Sequence, residues 1–131
     1  MTIGRSLFAG LVLATAFSFA SQAFAMDKKA FDAKAFEAAQ AANKPILVEV
    51  HAPWCPTCKA QAPILQKLTA DPKFNNLQVF VVDFDSRKDV LRQLNVRTQS
   101  TLIVFKGKSE QGRSVGVTEE ASIGALLNKA I

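Results

Sequence analysis

The chain has 131 residues, of which 49% are hydrophobic and 21% charged, and it carries a net charge of +5. That length allows one domain, and the balance excludes a disordered or low-complexity polypeptide. The basic residues (Lys28, Lys29, Lys34, Lys67, Lys88, Arg92, Arg97, Lys106, Lys108, Arg113) are scattered and lack interleaved aromatics; this argues for a solvated surface and against nucleic-acid binding.

The N-terminus reads as a cleaved secretory signal over residues 1–25. Arg5 is its only charge, Leu7 to Ala20 is apolar, and Ala23-Phe24-Ala25 places small residues where a signal peptidase reads. About 14 apolar residues fall short of the roughly 20 that span a bilayer. The expected mature domain is therefore 26–131, in an oxidising compartment outside the cytoplasm. From Asp27 to Asn43, the spacing of Phe31, Ala35, Ala39 and Ala42 predicts an amphipathic helix capped by Asp27. Ile46 to Val50 predicts a buried central strand interrupted by one acid, Glu49. A helix follows over about 55–69, with Pro63 inside it and Asp71-Pro72 at its exit. Leu77 to Val82 predicts a second buried strand, and a short helix capped by Asp85 or Ser86 runs to Leu94. Thr101 to Phe105 returns to strand, Lys106-Gly107-Lys108 turns, Arg113 to Val117 forms an edge strand, and Thr118 to Lys129 closes the domain as a helix with Thr118 at its N-cap. One α/β domain with a central mixed β-sheet flanked by helices accounts for the whole pattern.

Cys55 and Cys58 are the only cysteines, two residues apart in Trp54-Cys55-Pro56-Thr57-Cys58-Lys59. A bridge between them closes too short a loop to staple the fold, so its value is chemical. At the start of a helix the first sulfur is favoured as thiolate by the backbone dipole. The pair also follows the carboxyl end of a predicted strand, where open α/β sheets place their chemistry.

Taken together, these residues resemble the thioredoxin family over essentially the whole mature chain: Ile46-Leu47-Val48-Glu49 before Ala52-Pro53-Trp54-Cys55, Ala62-Pro63-Ile64-Leu65 in the second helix, then Val79 to Asp85, Thr101 to Gly107 and Val115-Gly116-Val117. The resemblance implies the thioredoxin fold, with Cys55 as the exposed attacking nucleophile and Cys58 as the resolving thiol. It makes Glu49 the buried acid that takes the Cys58 proton, and it places Trp54, Pro56, Thr57, Gln99 and Ser100 on the substrate-binding surface.

Four departures from the family pattern narrow the reading. Ser100 stands where the family has a cis-proline; the Gln99–Ser100 bond is expected to be trans, since a cis bond there costs ~2.5–4 kcal/mol, and the Ser100 hydroxyl is a candidate donor to the Cys55 thiolate. His51, the only histidine, replaces a large aromatic and is a candidate modulator through Glu49 or Cys55. Val81 replaces the lysine that commonly accompanies the buried acid, which leaves Glu49 with fewer charged neighbours. Pro56-Thr57 resembles exported thioredoxins of cytochrome c maturation and lacks the intervening histidine of strongly oxidising members, which points to a reductant.

The expected function is a periplasmic, monomeric thiol-disulfide oxidoreductase. It would act on exported disulfide-containing proteins, with a membrane dithiol as electron donor and no cofactor beyond the Cys55–Cys58 disulfide. Two other readings remain open: a dithiol oxidant or isomerase, and a metal or iron–sulfur binding module, although two cysteines are too few to close a metal site in one chain.

Overall fold

A computed structural model describes residues 27–131; the expected signal segment and its boundary lie outside the described residues. Five strands form one sheet: β1 (Lys28–Ala30), β2 (Pro45–His51), β3 (Gln78–Asp83), β4 (Thr101–Lys106) and β5 (Ser109–Val115), in the order β1-β3-β2-β4-β5. Four helices accompany it: α1 (Ala33–Ala41), α2 (Pro56–Thr69), α3 (Lys88–Gln93) and α4 (Glu120–Asn128). Strand β2 pairs parallel with β3 and antiparallel with β4, so the sheet is mixed. Parallel neighbours need a crossover of a dozen or more residues, and α2 supplies it.

Strand β2 is central and buried on both faces. Ile46, Val48 and Val50 join Phe80, Val82, Ile103 and Phe105 beneath α1 and α3, where Phe36 packs edge-on to Phe80 and Phe105. Leu47 points the other way, into a core with Leu65 of α2, Val79, Leu102, Val104 and Ile123, Leu126 and Leu127 of α4. An apolar run without alternation is what such a strand requires.

Several boundaries differ from the sequence expectation. The first helix starts at Ala33, not at Asp27, and Asp32 caps it by accepting the Ala35 N–H at 2.8 Å. The preceding residues form β1, an exposed edge strand paired in parallel with Val79–Val81 of β3. Strand β1 has no apolar alternation and is held by backbone pairing, so periodicity could not reveal it. Helix α3 has Arg87 at its N-cap with no side-chain cap; of the two residues expected to cap it, the Ser86 hydroxyl donates to the Asp83 carboxylate at 2.8 Å and the Asp85 carboxylate accepts Trp54 Nε1–H at 2.9 Å. Glu119, not Thr118, is the N-cap of α4. Strand β5 begins at Ser109, earlier than its polar sequence suggested. Gly107 in the β4–β5 turn has φ +57°, and a Cβ there would meet the Gln40 carbonyl oxygen at 3.2 Å and Asn43 Cα at 3.3 Å; both facts favour glycine.

Candidate active site

The site is built where β2 ends and α2 begins. Cys55 is the N-cap of α2, with extended backbone, and Pro56 occupies the first helical position, where its missing N–H costs nothing. The Cys55 sulfur accepts the Cys58 N–H at 3.0 Å, the bond an N-cap side chain makes to the third helical residue. The sequence expectation that the helix start would stabilise this sulfur as an anion therefore has a specific donor. Cys55 and Cys58 form a disulfide. The Cys58 sulfur also lies 3.9 Å from the Val50 carbonyl oxygen, an acceptor available to its S–H once the disulfide opens.

The resemblance implied an exposed Cys55, but in this disulfide form Cys55 is 0% exposed. Its sulfur is turned toward Cys58 and the helix N-terminus, and the pair packs with Ala52 and Phe84. Pro56 is exposed and Thr57 half-buried. Trp54 is 54% exposed and is fixed by its Nε1–H donating to Asp85 Oδ2 at 2.9 Å and by edge-on packing on Phe84, with ring centroids 6.4 Å apart. Phe84 and Asp85 were missed in the sequence because they follow β3, remote in the chain from the cysteines.

Glu49 is buried at 5% exposure, as the resemblance implied. The expected shortage of charged neighbours is corrected by Lys28, whose Nζ donates to Glu49 Oε2 at 2.8 Å. Val81 sits beside Glu49 in register, and the cation instead comes from β1, on the far side of β3. Since β1 was not recognised in the sequence, its lysine could not be placed. The expected pairing of His51 with Glu49 is likewise replaced by the Lys28 contact. His51 aligns with Asp83 across β2 and β3. The Asp83 carboxyl is held below its ordinary value chiefly by the Ser86 hydroxyl, with the backbone N–H groups helping and the His51 charge contributing least.

Gln99 is half-buried and Ser100 is 4% exposed. No cis peptide occurs among the described residues, in agreement with a trans Gln99–Ser100 bond, but Ser100 takes φ +56°. Its N–H donates to Val50 O at 2.9 Å, and its carbonyl accepts Gly116 N–H at 3.0 Å. In this disulfide form, which holds no Cys55 thiolate, the Ser100 hydroxyl donates to the Gln99 carbonyl at 2.6 Å. Gln61, another residue missed in the sequence, is 1% exposed and donates to the Ser100 and Val117 carbonyls at 3.2 and 2.9 Å. Its signal was available: a polar residue among Cys58, Leu65 and Thr69 on the buried face of α2. Among the described residues, no three His, Cys, Asp or Glu side chains gather as metal ligands, and no helix is long and apolar enough to cross a membrane.

A dithiol pair at a helix start, on the carboxyl end of the central strand of a mixed sheet, defines a thiol-disulfide oxidoreductase. The thioredoxin family model matches residues 25–129. The chain is 34% identical to a thioredoxin of Chlamydia trachomatis over 92 residues, covering 70% of this chain and 88% of that one. It is 33% identical to a thioredoxin of Aspergillus fumigatus, over 69% of this chain and 82% of that one. The solved structure of Trxlp from Edwardsiella tarda superposes with a TM-score of 0.75 at 40% identity, covering 77% of this chain and 98% of that one. The chain belongs to the thioredoxin family.

Proposed function

We propose that the protein is an exported reductant of disulfides in other periplasmic proteins. In the first step the Cys55 thiolate attacks a substrate sulfur, forming a mixed disulfide and releasing one substrate thiolate. Cys58 then gives up its proton to Glu49 and attacks the Cys55 sulfur, which releases the second substrate thiolate and leaves the Cys55–Cys58 disulfide. Two electrons pass to the substrate, and a membrane dithiol returns them. Trp54, Pro56, Thr57, Gln99 and Ser100 contact the substrate, and His51 modulates the site. The protein works as a monomer, with no cofactor beyond its own disulfide.

The observation that carries this reading is the Cys55 sulfur at the N-cap of α2, bonded to Cys58 and facing its N–H at 3.0 Å. The apolar N-terminal segment supports export, and Pro56-Thr57, without a histidine between the cysteines, supports the reducing direction. Two measurements test it. Cys55→Ser should abolish insulin reduction, and the Cys55–Cys58 potential should fall near about −270 mV; a value near about −120 mV would make the protein an oxidant. In cells, Cys58→Ser should accumulate mixed disulfides with periplasmic proteins, and their absence would remove the proposed partners.

A further inference from the structure

Gln61 lies one turn beyond Cys58 on α2 and is buried, yet its side chain makes no bond within its own helix. Its amide reaches the carbonyls of Ser100 and Val117, residues 39 and 56 positions away. Both partners are acceptors, so the side-chain nitrogen supplies both protons. The Ser100 peptide is also tied to β2 through Val50 O, the same oxygen that lies 3.9 Å from the Cys58 sulfur. Ser100 is therefore held on one side by the strand leading to the cysteines and on the other by the helix that carries them. It is held in a backbone conformation, φ +56°, that a serine seldom adopts unaided. The Ser100 carbonyl also accepts Gly116 N–H, so the two segments already meet through backbone; an apolar side chain could fill the space at position 61, but only a two-proton donor can tie both the Ser100 and the Val117 carbonyls to α2.

We propose that Gln61 is a positioning residue for the substrate groove. Its amide locks the Ser100 and Val117 backbones against α2, so that a protein substrate meets the 98–100 loop at one fixed height above the disulfide. This rests on Gln99 and Ser100 contacting the substrate. Gln61 acts through that loop and not on the sulfurs, so its loss weakens docking and leaves the intrinsic reactivity of Cys55 unchanged.

Gln61→Met keeps length and volume and removes the donors. With dithiothreitol as reductant, its KM for insulin is expected to rise about five- to tenfold, with kcat within about twofold of wild type. The rate of the reduced protein with the small disulfide 5,5′-dithiobis(2-nitrobenzoate) should stay unchanged. An unaltered insulin KM, or equal losses on insulin and on the small disulfide, overturns the proposal. Wild-type protein that consumes the small disulfide but not insulin overturns the groove reading and this inference with it, a result distinct from the first. If Gln61→Met does not fold, NMR of the wild-type protein decides. The Gln61 side-chain amide protons should exchange with solvent at least about tenfold more slowly than those of exposed Gln66, and equal rates overturn the clamp.

Discussion

Among the described residues, Ser100 is the one whose backbone departs furthest from what its type prefers, since the other non-glycine residues at positive φ are asparagines. A non-glycine residue at φ +56° costs of order 1–3 kcal/mol, offset here by the bonds to Val50, Gly116 and Gln61. Ser100→Gly should therefore leave stability within about 1 kcal/mol of wild type, whereas the β-branched Ser100→Val should lose about 1–3 kcal/mol. Urea unfolding of the two variants checks this, and equal midpoints would contradict the strain. Glu49 offers a second case. A buried carboxylate needs a partner, and Lys28, itself one-third exposed, provides it. Lys28→Met should cost about 1–2 kcal/mol at neutral pH, discounted from a fully buried pair for solvent screening. The loss should largely disappear in a Glu49→Gln background, and a double-mutant cycle with no coupling would show that the contact contributes nothing. The burial of Glu49 was legible from its place in a predicted buried strand and from the family resemblance. Its partner was not, because the lysine lies 21 positions away in an exposed strand with no apolar pattern.

The elements most legible in the chain were those with long apolar patterning: β2, β3, β4 and α2. Short polar elements were not, since backbone pairing and local side-chain bonds decide them; β1, the start of β5 and the caps of α1, α3 and α4 are of this kind. Helix α3 shows how such an element is secured. Arg87 at its N-cap donates to Asp89 through Nε and Nη2 at 3.1 and 3.0 Å, and its Nη1 reaches the Phe31 carbonyl at 2.8 Å. The Arg87 guanidinium holds the Asp89 carboxyl down to about 2 from an ordinary 3.8. Because the folded value lies below the unfolded one, whatever this contact adds to stability is present above the unfolded value and disappears as pH falls from about 3.8 toward 2. NMR titration of Asp89 should show a midpoint near 2 in wild type and a return toward the ordinary value in Arg87→Ala. A wild-type midpoint near 3.8 would mean that the bidentate contact does not persist in solution.

Across the described residues, the central sheet separates two cores, and the catalytic dithiol follows the central strand, which like β3 and β4 contributes to both. Ile103 is fully buried on one face and Leu47 nearly so on the other. Each truncation to alanine should cost about 2–5 kcal/mol in urea unfolding, whereas Val115→Ala, at 54% exposure on the edge strand, should stay within about 0.5 kcal/mol. A loss confined to one core would mean that the two layers do not unfold together. The sequence by itself determined the fold class, the central strand and the dithiol at a helix start. These depend on apolar periodicity and on residues adjacent in the chain, which local order records. Only the tertiary structure decided that Lys28 neutralises Glu49, that Asp85 holds Trp54, and that Gln61 reaches Ser100 and Val117. Each of these is a contact between elements far apart in the chain, set by strand order and backbone geometry, and no local pattern encodes it.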